Sequence, residues 1–449
     1  MQQRNAELNK QLDAFTQMVN GIIEKLWQAG QIRHELEPVR KMVIDDFTYN
    51  ENGPAYTGSS HPVVYEENWM RAAFTLSDTI FKLPEYLAIQ ALIATTYPNP
   101  NGIHRFQQYA FQLFTFLLKN RLKPAANDYK DLKNKLIAEV DLQPHRCLAT
   151  VNLFGLILES PEITIAEGVK LRQTLKTDLE TPSKLGSDLT FVSSPSAILE
   201  IQLYLKADQH GILQQQVGHY VKLIRLFDLG SISYISYRLA FDTISAPGME
   251  SGSGEQHFLP WRKYRLPKLK ETAFVYFLTT LPLQPSYSQF EKTANHLTTA
   301  FDRFSEALLE RSAIERKIAN AVMAIEALLS NDSVELKYRM QTRVAKIMTA
   351  FGFAPLAVRL QLQKAYDIRS TFAHGGYLTK EKKTELEKLL GPMDDFASQV
   401  VNYVRILLII ELSIDLTKTQ LITLVDDALI DNMSYDHLNA KLEAANAFI

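Results

Sequence analysis

The stretch Tyr366–Gly376 contains an arginine and a histidine, Arg369 and His374, with four residues between them. Histidine exchanges a proton near neutral pH, so it can accept the proton of a ribose 2′-OH or donate one to a leaving 5′-oxygen. Arginine can hold a phosphate with paired donors and stabilise the negative charge that develops in the transition state. The pair therefore has the side chains needed to cleave RNA without a metal. Nowhere else in the chain does a histidine follow an arginine at this spacing.

The spacing of the two residues limits where a helix can place them. On a continuous helix, residues five positions apart point about 140° away from each other. Arg369 and His374 can therefore converge only if His374 lies where the helix ends. Gly375 and Gly376 predict that end, because glycine adopts the left-handed conformation that stops a helix. A helix C-terminus also favours a positive charge, which would help His374 act as an acid or lie near a phosphate.

The segments around this stretch carry a family resemblance. Before it lie the helical patterns Glu315–Ser330 (ERKIANAVMAIEALLS) and Glu335–Met348 (ELKYRMQTRVAKIM), and a long apolar helix follows it. Together with the pattern YxxRSxxxHGG, this succession resembles the HEPN domains, and among them the Apea-like branch, over about residues 288–419. The resemblance implies an all-α bundle, a homodimer and metal-independent ribonuclease activity, with Arg369 and His374 as the catalytic residues.

One arginine and one histidine per chain make a sparse site, and a two-fold dimer would supply two of each around one phosphate. One copy of His374 would then act as the base and the other as the acid. Because the 2′-oxygen is the nucleophile, the expected products are a 2′,3′-cyclic phosphate and a 5′-OH. The predicted partners are thus RNA and a second copy of the chain, which would bind through the C-terminal domain.

Three further residues complete the predicted substrate-binding set. Ser370 would hydrogen-bond the phosphate or the backbone, and Tyr366, one turn earlier, would stack on a base. Glu326 interrupts an apolar helix face and would orient Arg369 or His374 across a pair of helices.

Structural roles remain open for the same residues. His374 can simply cap the last carbonyls of a helix. Arg369 can pair with Asp367 or Glu326, and Glu326 can be a solvated helix position. Arg339 and Arg343 can extend a phosphate-binding surface, but ordinary helix charges are the favoured interpretation.

A second candidate for RNA contact is Trp261–Lys270 (WRKYRLPKLK), where two aromatic residues alternate with five basic ones. Such a mixture suits a single strand, which is bound by stacking and backbone charge. The alternative, a solvated edge strand or linker, is favoured because runs of charge usually face solvent.

Composition excludes several other classes of protein. The net charge of −2 argues against a protein that coats nucleic acid non-specifically. The single cysteine, Cys147, permits neither an intrachain disulfide nor a cysteine-based zinc site.

The sequence also lacks the common motifs of other enzyme classes. No Walker, HExxH or GxSxG motif occurs, so no cofactor and no metal are predicted. The start of the sequence, MQQRNAELNKQLDAF, lacks an apolar core, so no signal peptide is expected. The longest apolar run, Val404–Ile410 with its flanks, is interrupted by Arg405, Glu411 and Asp415, so we expect it to be too short and too charged to span a membrane. We therefore predict a cytoplasmic protein.

At 449 residues the chain is too long for one ordinary core. We predict an α+β multidomain protein with an all-helical N-terminal domain at about 1–140, where Asn50–Pro62 is a loop. A β-rich domain with an inserted helix, with a sensing or regulatory role, follows at 141–286, because apolar and polar residues alternate in Ser196–Lys206 and Gly230–Asp242. The all-α HEPN-like bundle occupies 287–449.

The predicted function is a HEPN-type endoribonuclease. From the resemblance we expect a toxin or antiphage abortive-infection effector, controlled by its N-terminal domains and by a phage or host trigger. The alternative is a non-catalytic HEPN-like dimerisation or nucleotide-binding module in a regulatory protein.

Overall fold

The computed structural model describes residues 2–40, 43–60, 62–120, 126–180, 183–184, 195–206, 209–244, 249–252, 262–283, 295–311, 313–331 and 335–449. Within these ranges the protein is α+β, with largely helical N- and C-terminal regions around a β-rich middle, as predicted.

Five helices of the N-terminal region share one apolar core. They are α1 (Gln2–Gln28), α2 (Met70–Ile80), α3 (Pro84–Thr96), α4 (Gly102–Lys119) and α5 (Ala126–Val140). The apolar side chains of α1 repeat every three or four residues, so they form one stripe on the helix, and that stripe is completely buried. Its members are Leu8, Leu12, Phe15, Val19 and Ile23.

The prediction of an all-helical region at 1–140 is wrong between α1 and α2. This segment forms β1 (Glu35–Arg40), β2 (Val43–Asn50), β3 (Gly53–Ser60) and β4 (Val63–Asn68). β1 pairs with β4 and β2 pairs with β3, both antiparallel. The predicted loop at Asn50–Pro62 is therefore largely strand. These strands are mostly exposed, so backbone pairing forms them without the buried apolar alternation by which strands are recognised.

The middle of the chain is built on a six-stranded antiparallel sheet. In sheet order its strands are β12 (Met249–Gly252), β11 (Ser233–Phe241), β5 (His145–Phe154), β10 (Ala197–Leu205), β8 (Val169–Gln173) and β7 (Glu162–Ala166). In β5, buried residues alternate with more exposed ones, which places one face of the strand in the core. The inserted helix, α7 (His210–Phe227), packs on β5 and β10.

Smaller elements surround this sheet. β6 (Leu156–Leu158) and β13 (Tyr264–Leu266) form a parallel pair, and β9 (Ser183–Lys184) pairs with β1. A short helix, α6 (Lys176–Leu179), follows β8, and α8 (Glu271–Thr280) packs against α7. Tyr49 of β2 bonds the backbone of Leu158 and Ser196, so the N-terminal strands lie against the middle region.

The C-terminal region is entirely helical where the structure describes it. Its helices are α9 (His296–Leu309), α10 (Ile314–Leu329), α11 (Leu336–Thr349), α12 (Pro355–Ala373), α13 (Lys380–Leu390), α14 (Met393–Ser413), α15 (Lys418–Ala428) and α16 (Asn432–Asn446). α10 packs against α9, α12 and α14, and α11 packs against α12. Arg369 and Asp367, in the C-terminal half of α12, contact Glu326 of α10 and Lys337 of α11.

The buried apolar side chains form two clusters. One consists of the N-terminal helices with Ile244. The other runs from the sheet through α7 and α8 into the C-terminal bundle without a break. Arg405 of α14 joins the two parts, because its buried guanidinium donates to the carbonyls of Leu226 and Phe227 on α7.

Helix α14 is long and apolar enough to cross a membrane by length and composition, and no other described helix is. The prediction that this run is too short and too charged is therefore wrong on those two measures. In the structure, 67% of an apolar 18-residue segment of this helix is buried inside the protein. Such burial is typical of a core helix.

Candidate active site at the end of helix α12

His374 lies at the C-terminal end of α12, as the sequence predicts. Gly375 has a φ of +78°, the left-handed conformation that ends a helix. The N–H groups of Gly375 and Gly376 donate to the carbonyls of Phe372 and Thr371, each at 2.9 Å. This is a Schellman motif, so the glycine amides close the helix and the imidazole is not needed for that purpose.

The imidazole of His374 is exposed to solvent. It makes no hydrogen bond or ion pair with any residue that the structure describes, although its backbone N–H donates to the carbonyl of Ser370 at 3.2 Å. The side chain of Ser370 is half-buried and likewise makes no hydrogen bond with a described residue. Both side chains are thus available to a ligand.

Arg369 is held by Glu326 on the neighbouring helix α10. Its Nη2 donates to Oε2 of Glu326 at 3.1 Å, and the two side chains are 28% and 14% exposed. Its guanidinium carbon also lies 5.8 Å from the ring centre of Tyr366. Asp367, the other predicted partner, pairs instead with Lys337 of α11. Glu326 is therefore not a solvated helix position.

Burial raises the pKa of Glu326, and the adjacent Arg369 offsets part of that rise. Oε1 of Glu326 and Nε of Arg369 are buried and have no hydrogen-bond partner among the described residues. One hydrogen bond therefore fixes the pair, although a carboxylate and a guanidinium can form two. Such unsatisfied groups are uncommon in folded proteins, and a catalytic role or a bound water or ion can account for them.

The structure brings together some of the predicted residues and separates others. Glu326, Arg369 and Tyr366 form one cluster. Ser370 and His374 follow on the exposed side of α12, while Arg369 lies on the same face as the buried Leu362 and Ala365, near the end of the helix. Within one chain, the side chains of Arg369 and His374 make no described contact with each other.

A cleft of about 690 Å³ opens beside Tyr366, between α11 and α12. Its lining also contains Tyr338, Gln341 and Arg359, none of which the sequence prediction included. The guanidinium of Arg359 lies 5.8 Å from the ring centre of Tyr338. The sequence signal for this surface is the spacing of Arg359, Gln363, Tyr366 and Ser370, which puts one stripe of polar and aromatic residues along α12.

Arg343, a sequence candidate for the phosphate-binding surface, has a structural role. It is 4% exposed, forms a double hydrogen bond with Asp426 of α15 at 2.7 Å, and donates to the carbonyl of Leu329. It thereby ties α11 to α10 and α15. Arg339 is half-buried near the start of α11.

The basic segment Trp261–Lys270 is described only from Arg262 onward, and Trp261 lies outside the described residues. Tyr264–Leu266 forms the edge strand β13. Arg265 pairs with Glu159 at 3.0 Å, and Lys270 pairs with Asp228 at 3.6 Å. These contacts favour the edge-strand interpretation over an RNA-binding one.

In the ranges given above, no group of three or more His, Cys, Asp or Glu side chains is placed to hold a metal ion. A scan against protein-family models, a search of curated proteins and a search of solved structures each find no match to this chain.

Proposed function

We propose that this protein is a metal-independent endoribonuclease of the HEPN type, with Arg369 and His374 as its catalytic residues. The observation that carries the proposal is the end of α12. There His374 is exposed, has no partner among the described residues, and follows Tyr366 and Ser370 on α12. Arg369, also on α12, is held by Glu326 of α10.

In the proposed reaction, one His374 accepts the proton of the 2′-OH, and the 2′-oxygen forms a bond to phosphorus. The bond between phosphorus and the 5′-oxygen breaks, and a second, protonated His374 gives its proton to that oxygen. Arg369 binds a non-bridging phosphate oxygen and stabilises the developing charge. The products are a 2′,3′-cyclic phosphate and a 5′-OH.

The second histidine comes from a second copy of the chain. Because His374 is exposed at a helix end, a two-fold axis near this point can bring two copies to one phosphate. Each copy would also add an arginine. Arg369 of one copy would then lie near His374 of the other, although the two residues do not touch within one chain.

We also propose that the protein acts in the cytoplasm as a toxin or antiphage abortive-infection effector. The N-terminal and middle regions would then respond to a phage or host trigger. This part of the proposal depends on the family resemblance and on the size of those regions, which exceed what a linker needs.

The test compares wild type with Arg369→Ala and His374→Ala on total RNA in EDTA. His437→Ala is the matched control, because His437 is also an exposed histidine at the C-terminal region, on α16. We expect cleavage by wild type and by the control, with cyclic phosphate ends. Loss of about 10²- to 10⁴-fold is expected for His374→Ala, the usual contribution of a general acid or base. Equal cleavage by all four proteins would contradict the assignment.

A second candidate function is a non-catalytic dimerisation or nucleotide-binding module. The pairing of Arg369 with Glu326, away from His374, favours it. Under this function the wild-type protein forms dimers or binds nucleotides but does not cleave RNA, and expression in cells is not toxic. Toxicity that His374→Ala abolishes would exclude it.

A further inference from the structure

We propose that the cleft between α11 and α12 is a binding subsite for single-stranded RNA. In it, Tyr338 and Tyr366 stack on bases and Arg359 contacts a phosphate. The inference rests on the proposed function, because it extends the same site along α12 and specifies its substrate as unpaired RNA.

The two tyrosines give the cleft its aromatic surface. Tyr338 on α11 is 57% exposed, and Tyr366 on α12 lines the same cleft. Every base has a flat face, so exposed aromatic rings bind single strands with little dependence on sequence. In a duplex those faces are stacked on each other, so the cleft would discriminate against paired RNA.

Arg359 supplies the positive charge. It is exposed, and its only described interaction is with the ring of Tyr338, so no described carboxylate neutralises it. The other charges at the cleft are Glu335, which lines it, and the ion pair of Lys337 with Asp367. That pair is partly exposed, and such pairs contribute little free energy, so Lys337 can exchange its carboxylate for a phosphate.

Gln341 points independently to a polar ligand. Its side chain lines the cleft, is only 5% exposed, and its Nε2 has no hydrogen-bond partner among the described residues. A buried amide without a partner is unfavourable, and it is satisfied when a ligand brings an acceptor. Side-chain amides recognise base edges in this way, since they offer a donor and an acceptor side by side.

The geometry of α12 connects the cleft to His374. Arg359, Gln363, Tyr366 and Ser370 are spaced four, three and four residues apart, so they lie on one face of the helix. At about 1.5 Å per residue, the distance along the axis from Arg359 to His374 is about 22 Å. A strand bound in the cleft therefore has a continuous path along α12 to the proposed catalytic histidine.

The test measures binding without cleavage. The probe is a fluorescent 2′-O-methyl single strand of about 12 nucleotides, within the site sizes of single-strand binders. It lacks the 2′-OH nucleophile and cannot be cleaved, so a loss of binding at the subsite is distinguished from a loss of catalysis.

The variants are Tyr338→Ala, Tyr338→Phe and Arg359→Gln. The controls are Tyr204→Ala, an exposed tyrosine on β10, and Lys388→Gln, an exposed cation on α13.

We expect Tyr338→Ala to weaken binding about ten-fold and Tyr338→Phe to preserve it, because phenylalanine retains the stacking face. Arg359→Gln should lower the dependence of log Kd on log salt by about 0.7, one phosphate contact on a single strand. A duplex of the same length should compete poorly. The inference is overturned if the wild-type protein does not bind the probe, if Tyr338→Ala binds as well as Tyr204→Ala, or if the duplex binds equally. Cleavage of unmodified RNA, assayed separately, reports on the proposed function.

Discussion

Arg369 on α12 donates a hydrogen bond to Glu326 on α10 at 3.1 Å, and this contact sets the direction of the guanidinium. The two helices pack side by side, so the bond also fixes the site to the core of the bundle. Under the proposed function, Glu326 would act as a positioning residue, and its carboxylate would not need to touch RNA.

Replacing Glu326 tests this role. Glu326→Ala leaves a partly buried guanidinium without its partner, which should lower the free energy of unfolding by about 1–3 kcal/mol. It should also slow cleavage by about 10- to 100-fold, because a small displacement of a catalytic group has that effect. Glu326→Gln keeps an acceptor for Arg369 and should restore most of both losses. Urea denaturation and single-turnover cleavage provide the measurements, and wild-type rates in both variants would contradict the role.

The glycine after His374 offers a second test with an internal control. Gly375 and Gly352 have φ angles of +78° and +80°, and a Cβ added at either glycine would meet no neighbouring atom within 4 Å. Alanine at either position should therefore reduce stability by a similar amount, about 1–2 kcal/mol, through backbone strain alone. Only Gly375→Ala should reduce cleavage, because it shifts the end of the helix that carries His374. A similar loss of activity in Gly352→Ala would show a general effect of stability.

Arg343 should contribute to stability and not to RNA binding. Arg343→Ala leaves the carbonyl of Leu329 and the carboxylate of Asp426 without a donor, so we expect a loss of about 2–4 kcal/mol in the free energy of unfolding. The Kd for RNA of the folded protein should not change. Denaturation measures the stability, and fluorescence anisotropy measures the Kd for RNA. Weaker RNA binding at unchanged stability would indicate that Arg343 contacts RNA.

Two buried lysines predict how stability depends on pH. Burial lowers the pKa of Lys222 and of Lys317 to about 8, while an unfolded lysine has a pKa near 10.5. Below pH ~8 both states are protonated, and the full cost of burying the charges is present. As pH rises from about 8 to 10.5, the folded state releases these protons first, so the free energy of unfolding should rise.

Lys317→Met removes one of these groups. The variant should be more stable than wild type at pH 7 by about 1–3 kcal/mol, and its stability should rise less between pH 8 and 10. Lys388→Met, at an exposed position on α13, is the control and should follow wild type. Denaturation at a series of pH values gives the comparison, and parallel curves for all three proteins would contradict the assignment.

Local signals predicted part of this structure well. The glycines after His374 identified the end of α12. A helix often ends at a residue in the left-handed conformation, and glycine adopts that conformation most readily, so the signal can be read from the local sequence. The alternation in Ser196–Lys206 likewise identified β10, which is buried in the middle of its sheet. Both features depend on neighbours in the chain.

Features that depend on distant residues were missed. β3 is rich in glycine, serine and threonine, and it is a strand because β2 pairs with it. Tyr338 and Arg359 meet only because α11 packs against α12. Tyr338 belongs to a segment that carries the family resemblance, but nothing in that segment pairs it with Arg359. The partner of Arg369 was one of two carboxylates that the sequence allowed, and the packing of α10 against α12 selected Glu326 over Asp367.

The unbroken apolar cluster from the sheet to the C-terminal helices has a consequence for how the chain can be divided. A truncation at 286/287 would cut through one core and remove the carbonyls of Leu226 and Phe227 from the buried Arg405. A cut near residue 141 would leave both clusters almost whole, with Ile244 as the exception. A fusion protein that includes the proposed nuclease region would therefore need residues from about 141 to the C-terminus as one continuous segment.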